Sequence, residues 1–137
     1  MTTTAFAPRG DKHSLEEGEA FAPKFDGDGL IVCITTETTT GDILMVAYMN
    51  AESLRLTIDT GVAHYWSRSR QSLWRKGDTS GQTQKVIQMR VDCDQDAILL
   101  EVEAGGDGKA CHTGRRSCFY RRLEKSDAGT KLVIDEF

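Results

Sequence analysis

The chain has 137 residues, 39% hydrophobic and 28% charged, with a net charge of -4. That length suits one domain with a real core, and the acidic balance argues against a general nucleic-acid binder. The longest apolar run, residues 43–49, is far too short to span a membrane, so neither a nucleic acid nor a membrane is an expected partner. Residues 1–23 are Thr-rich, charged and aperiodic, and are expected to form a mobile extension ahead of a domain over residues 24–137. Met1 to Pro8 carry no apolar signal region, which points to a cytoplasmic, reducing location. There the four cysteines are free thiols rather than a disulfide framework.

Residues 30–36 read as a strand, 38–42 as a turn and 43–48 as a second, well-buried strand. Asn50 can cap a helix from 51 to about 59, with Met49 and Leu54 at the positions of a hydrophobic staple and Gly61 at its end. Residues 63–67 read as a third strand, and 69–83 as a long polar loop. From 85 to 91 the pattern alternates, placing Ile87, Met89 and Val91 on one face. Continued, that alternation projects Asp92, Asp94 and Asp96 to one side and Cys93 to the other. Residues 98–102 extend the apolar pattern, 104–108 form a loop, and 118–123 and 132–134 read as the last strands. Many strands and one clear helix predict an α+β fold, a compact sandwich of mainly antiparallel strands with few helices.

The chemistry-bearing residues gather in two segments, DCDQD (92–96) and CHTGRRSC (111–118). Cys93, Cys111 and Cys118 supply three thiolates, which suit zinc with an open fourth position for water. The alternative is a closed structural site with His112 as fourth ligand. In an open site His112 is free to act as a general acid or base. Cys33, among β-branched residues, reads as an inert core thiol. Asp92, Asp94 and Asp96 suit a hard cation, magnesium in a phosphate site. Two stretches free of acids, 68–76 and 109–122, hold Arg68, Arg70, Arg75 and Lys76, then Lys109, Arg115, Arg116, Arg121 and Arg122. With hydroxyls and Gly-flanked amides nearby, they suit a bound anion. The candidates for substrate binding are Trp66, Arg68, Arg70, Trp74, Lys76, Thr79, Ser80, Arg115 and Arg116, with a tryptophan able to stack on a flat base.

Five motifs in order, GDILMVAYMN (41–50), WSRSR (66–70), LWRKGDTSGQ (73–82), DCDQD (92–96) and CHTGRRSCFY (111–120), resemble the phosphoribosyl-AMP cyclohydrolase family of histidine biosynthesis. The resemblance runs from about residue 25 to 123. It implies hydrolysis of the N1–C6 bond of the adenine ring of phosphoribosyl-AMP. It also implies an intertwined homodimer with zinc sites shared between subunits, Cys93 from one chain and Cys111 and Cys118 from the other. Asp92, Asp94 and Asp96 match the family's magnesium site. Gln95 departs from the family's pattern, where a small residue, often glycine, is expected. Too little chain follows residue 123 for the pyrophosphohydrolase domain fused in some members, so a monofunctional protein is expected. Two rivals stand beside this reading. One is a zinc-stabilised RNA-binding module, which salt-sensitive RNA binding would reveal. The other is a purely structural metal protein, which four protein ligands per zinc would reveal.

Overall fold

The computed structural model describes residues 5–77 and 80–136. Helix α1 is Lys12–Glu17, strand β1 Ile31–Glu37, β2 Ile43–Met49 and helix α2 Ala51–Thr60. They are followed by β3 His64–Ser67, β4 Ser72–Arg75, β5 Gln84–Val91, β6 Ala97–Ala104, β7 Arg121–Ser126 and β8 Gly129–Ile134. The local signals for α2 act as expected. The Asn50 side chain accepts the Ser53 amide at 2.8 Å, and Ser53 Oγ accepts the Asn50 amide at 2.9 Å, a reciprocal cap. Gly61 stops the helix at φ 73, where a Cβ would be strained.

The fold is α+β, with two helices among the described residues, but it is not a sandwich. Six strands form one mixed sheet in the order β4-β3-β2-β1-β6-β5, and β7-β8 form a separate hairpin. β1 and β6 pair in parallel and the other neighbours are antiparallel. The sheet curls until the residues before β3 meet β5. Val62 bridges Lys85, the Ala63 amide donates to Gln84 O at 2.9 Å, and the Val86 amide donates to Gly61 O at 2.8 Å. One curled sheet thus encloses its own core, with no need of a second sheet.

Met49, Leu54, Tyr65, Ile98, Leu100 and Val102 lie in that core. Each large apolar side chain so buried contributes about 1.5–3 kcal/mol. Tyr65 Oη donates to Gln84 Oε1 at 2.6 Å and lies 2.7 Å from Thr35 Oγ1, so the curl closes around a satisfied polar chain. Cys33 is fully buried and its thiol is pushed up to about 12 by burial, consistent with an inert core residue.

Four expectations need correction. The loop expected over 69–83 contains β4, which pairs with β3 through a tight turn where Gln71 has φ 50. β2 is not buried throughout, since Ile43 and Val46 are 42% and 44% exposed. In β5 the register shifts between Val86 and Gln88, a bulge that resets the alternation. Val86 and Met89 therefore pack against the core, while Ile87 and Val91 are exposed. The strand expected over 118–123 begins only at Arg121.

The segment expected as a mobile extension carries α1, capped by Asp11, and folds back on the body. Phe6 meets Phe21 edge-on at 5.6 Å, and the Arg55 guanidinium lies 4.6 Å from the Phe6 ring. Among the described residues no helix is long and apolar enough to cross a membrane.

Candidate active site

The 111–118 loop leaves β6 and is pinned to the start of β2. The Cys118 amide donates to Leu44 O at 2.7 Å and Ser117 Oγ donates to Ile43 O at 2.6 Å. Arg116 donates to Glu37 Oε2 and Asp42 Oδ2, each at 2.8 Å, and to Thr40 Oγ1 at 2.9 Å. Within the loop, the Gly114 amide donates to Cys111 O at 3.0 Å, with Gly114 at φ 86. This turn returns the chain so that the thiols of Cys111 and Cys118 lie near enough to shift each other's ionisation.

The two thiols titrate in opposite directions. Burial raises Cys111, but hydrogen bonds from Thr113, the neighbouring Cys118 and the nearby Lys76 charge outweigh it, and its thiol falls below the ordinary value. Thr113 Oγ1 donates to the Cys111 sulfur at 3.1 Å. Cys118 is pushed up to about 11, first by burial and then by Cys111. The surroundings thus favour ionisation at Cys111 and oppose it at Cys118. Lys76 is buried beside them, its ammonium donating to Ala110 O at 2.6 Å. Burial lowers its pKa while the two sulfurs work to raise it.

A cleft of about 380 Å³ opens beside Cys111, lined by Arg70, Trp74, Lys76, Ser80, Lys109, Cys111 and His112 among others. Arg70, Lys76 and Lys109 make it basic, with Asp107 the one carboxylate among the described residues of its lining. Lys76 Nζ lies 5.3 Å and the Arg70 guanidinium 5.9 Å from the centre of the Trp74 ring. His112 is exposed at the cleft.

The remaining candidates lie elsewhere. Trp66 and Arg68 do not line this cleft, and Arg68 stacks over Tyr48 at 4.0 Å. Arg115 and Arg116 line a neighbouring, wider cleft. Arg115 lies over the Tyr120 ring at 4.1 Å and pairs with Glu136, and Arg116 is engaged by Glu37 and Asp42. Thr79 falls outside the described residues. Sequence reasoning missed Gln82 and Asp107 in the cleft lining, although Gln82 sits in a quoted motif.

The second constellation is the turn joining β5 to β6. Ligand atoms of Asp92, Asp94 and Asp96 lie within 4.8 Å of one another, the one such group of three or more found among the described residues. Their convergence does not come from strand alternation, because β5 ends at Val91. The chain turns instead: the Gln95 amide donates to Asp92 O at 3.1 Å, and Asp92 Oδ1 accepts the amides of Asp96 and Ala97 at 2.9 and 3.1 Å. Asp96 is pushed up to about 6, first by Asp92 and then by Asp94. Burial works to raise Asp92, but hydrogen bonds from Asp96 and the local amides leave it lowered. Carboxylates this close repel one another when ionised, and a cation among them would relieve that repulsion.

Cys93 is exposed in the same turn, at the N-terminal end of β6, whereas the 111–118 loop follows the C-terminal end. Eight residues of β6 span about 25 Å. Consistent with this, Cys93 forms no ligand group with Cys111 and Cys118 within one chain.

Relatives with established names assign the class: the chain is an enzyme, a hydrolase. More narrowly, it belongs to the phosphoribosyl-AMP cyclohydrolase family, whose model matches residues 45–120, spanning both constellations. A phosphoribosyl-AMP cyclohydrolase of Bradyrhizobium diazoefficiens is 62% identical over 122 residues, covering 89% of this chain and 86% of its own. The one from Brucella canis is 57% identical over 124 residues, covering 90% and 89%. That of Brucella anthropi is 56% identical over 125 residues, covering 91% and 89%.

Proposed function

We propose that this chain hydrolyses the N1–C6 bond of the adenine ring of phosphoribosyl-AMP, giving the ring-opened ProFAR (phosphoribosyl-formimino-AICAR-phosphate) in histidine biosynthesis. The observation that carries the reading is the neighbouring thiols Cys111 and Cys118, with Cys111 and His112 lining a basic cleft, in a chain whose relatives bear that activity in their name. The donor set fits zinc at this pair, because a cation lets both sulfurs ionise where Cys118 alone resists. Cys93 is the third ligand, and it comes from a second copy of the chain. Zinc held there supplies a Lewis acid that makes water nucleophilic near neutral pH.

The other steps fall to side chains. Arg70, Lys76 and Lys109 hold the phosphate groups of a nucleotide, and Trp74 offers a flat face to the base. His112 carries the proton to the departing ring nitrogen. Asp92, Asp94 and Asp96 fit magnesium, which relieves the repulsion that raises Asp96.

The homodimer is supported by apolar surface left open on one chain. Leu123, Leu132 and Ile134 of the β7–β8 hairpin are 65%, 54% and 58% exposed, and a two-stranded hairpin is marginal alone. A second copy that covers this surface and delivers Cys93 satisfies both needs.

The test is direct. Purified protein incubated with phosphoribosyl-AMP gives the ultraviolet change of ring opening, and a chelator abolishes it. No change with metal-replete protein contradicts the proposal.

A further inference from the structure

Gln95 occupies a backbone that does not favour it. Its φ is 59, in the left-handed region where glycine is the unstrained choice. A glutamine kept at such a position is explained by what its side chain does, and this one is 4% exposed with every polar group used. Oε1 accepts the Ala22 amide at 2.8 Å, and Nε2 donates to Leu15 O at 3.1 Å and Ala20 O at 3.3 Å. Its carbonyl accepts the Lys24 amide at 2.7 Å. Its own amide makes the bond to Asp92 O that closes the aspartate turn. One residue therefore both shapes the turn and holds residues 15–24, which lie more than seventy positions away in the chain. The far end of the N-terminal segment is fixed independently, where Phe6 meets Phe21, Phe25 and the Arg55 guanidinium of α2.

We propose that Gln95 is a positioning residue, a latch through which docking of residues 15–24 and cation binding by Asp92, Asp94 and Asp96 stabilise each other. The inference rests on the reading of that turn as a divalent-cation site. Three repelling carboxylates favour a splayed turn, and the docked segment holds the turn in its closed form. A cation draws the carboxylates together and so favours the geometry to which the segment docks. Such coupling is reciprocal by thermodynamic necessity.

The experiment compares full-length wild type with Gln95→Gly, using magnesium chloride as the only added ligand. Glycine suits the backbone at this position, so the turn is kept and only the latch is lost. In wild type, magnesium slows hydrogen exchange at the Ala22 and Lys24 amides. In Gln95→Gly those amides exchange faster and no longer respond to magnesium. Calorimetry gives a magnesium dissociation constant raised about fivefold or more, while zinc content is unchanged. Phe6→Ala, which loosens the segment without touching the turn, weakens magnesium in the same direction by a smaller factor. Wild-type magnesium affinity in Gln95→Gly alongside faster Ala22 exchange overturns the coupling, and unchanged exchange overturns the latch itself. If wild type shows no magnesium binding sensitive to Asp94→Asn, the cation reading of the turn falls and the coupling falls with it. Exchange at Ala22 still reports the latch in that case, so the two failures are told apart.

Discussion

The thiol loop and the aspartate turn flank the same strand but are held in opposite ways. The 111–118 loop is bolted to the body of the sheet by Arg116, Ser117 and the Cys118 amide. The turn at 92–96 closes mainly on itself, and its outside support comes from the N-terminal segment through Gln95. The first is a rigid half-site with two sulfurs. The second offers one exposed sulfur and three carboxylates on a turn whose shape depends on what docks against it. The difference teaches that, on the proposed zinc reading, neither region alone supplies all three thiolates. The sheet places the two halves at opposite ends of β6, so a second copy is the economical way to join them.

The largest expected effect breaks the rigid half. Cys111→Ser and Cys118→Ser each lose zinc, and turnover falls by more than about a hundredfold, the scale that loss of an outer-shell partner already reaches. Cys33→Ser keeps its zinc, because that thiol is fully buried in the core. Metal analysis of the purified variants checks both statements.

Next comes the anchor of the loop. Arg116→Ala frees the segment from Glu37 and Asp42, and zinc affinity falls about tenfold, as for other losses of outer-shell support. The groups are partly exposed, so the global cost is small, about 1 kcal/mol or less. The same contact has a pH signature. The hydrogen bond from Arg116 holds the Glu37 carboxyl below its ordinary 4.5. Its stabilisation is therefore present above about pH 4.5 and is lost as pH falls through the lower folded value. Denaturant melts at falling pH show that acid-side loss in wild type and a flatter profile in Arg116→Ala.

A smaller effect sharpens the contrast from the other side. Asp94→Asn removes one carboxylate from the turn and leaves the thiol pair alone. Rate titrations show a weakened magnesium dependence, and zinc content stays at the wild-type level. Parallel loss of both metals shows that the two half-sites act as one cluster.

Much of this was legible in the sequence where the signals are local. Asn50 and Gly61 bound α2 because caps act within one turn of helix. The clustering of cysteines and aspartates, and the basic runs beside them, marked both loops before any geometry was known. What was hidden depends on distant partners. β4 has four residues in a polar stretch and is a strand only because β3 pairs with it. The bulge at Val86–Gln88 shifts β5 out of the phase that its alternation suggested. The aspartates converge as expected, but through a turn built on Asp92 and Gln95 rather than along a strand. Arg116 reads in sequence as a free cation, and only the fold shows that Glu37 and Asp42 engage it. Gln95 looked like a local irregularity because its partners lie in the N-terminal segment.

The central claim is a site divided between two chains, and subunit mixing tests it most directly. On the proposed reading, Cys93→Ala and Cys111→Ala proteins are each expected to be inactive. Mixed and allowed to exchange subunits, they form some dimers with one site built wholly from unmutated halves. The account predicts that phosphoribosyl-AMP hydrolysis returns on mixing, in proportion to the mixed dimer formed. Verified subunit exchange with no recovery of activity contradicts it.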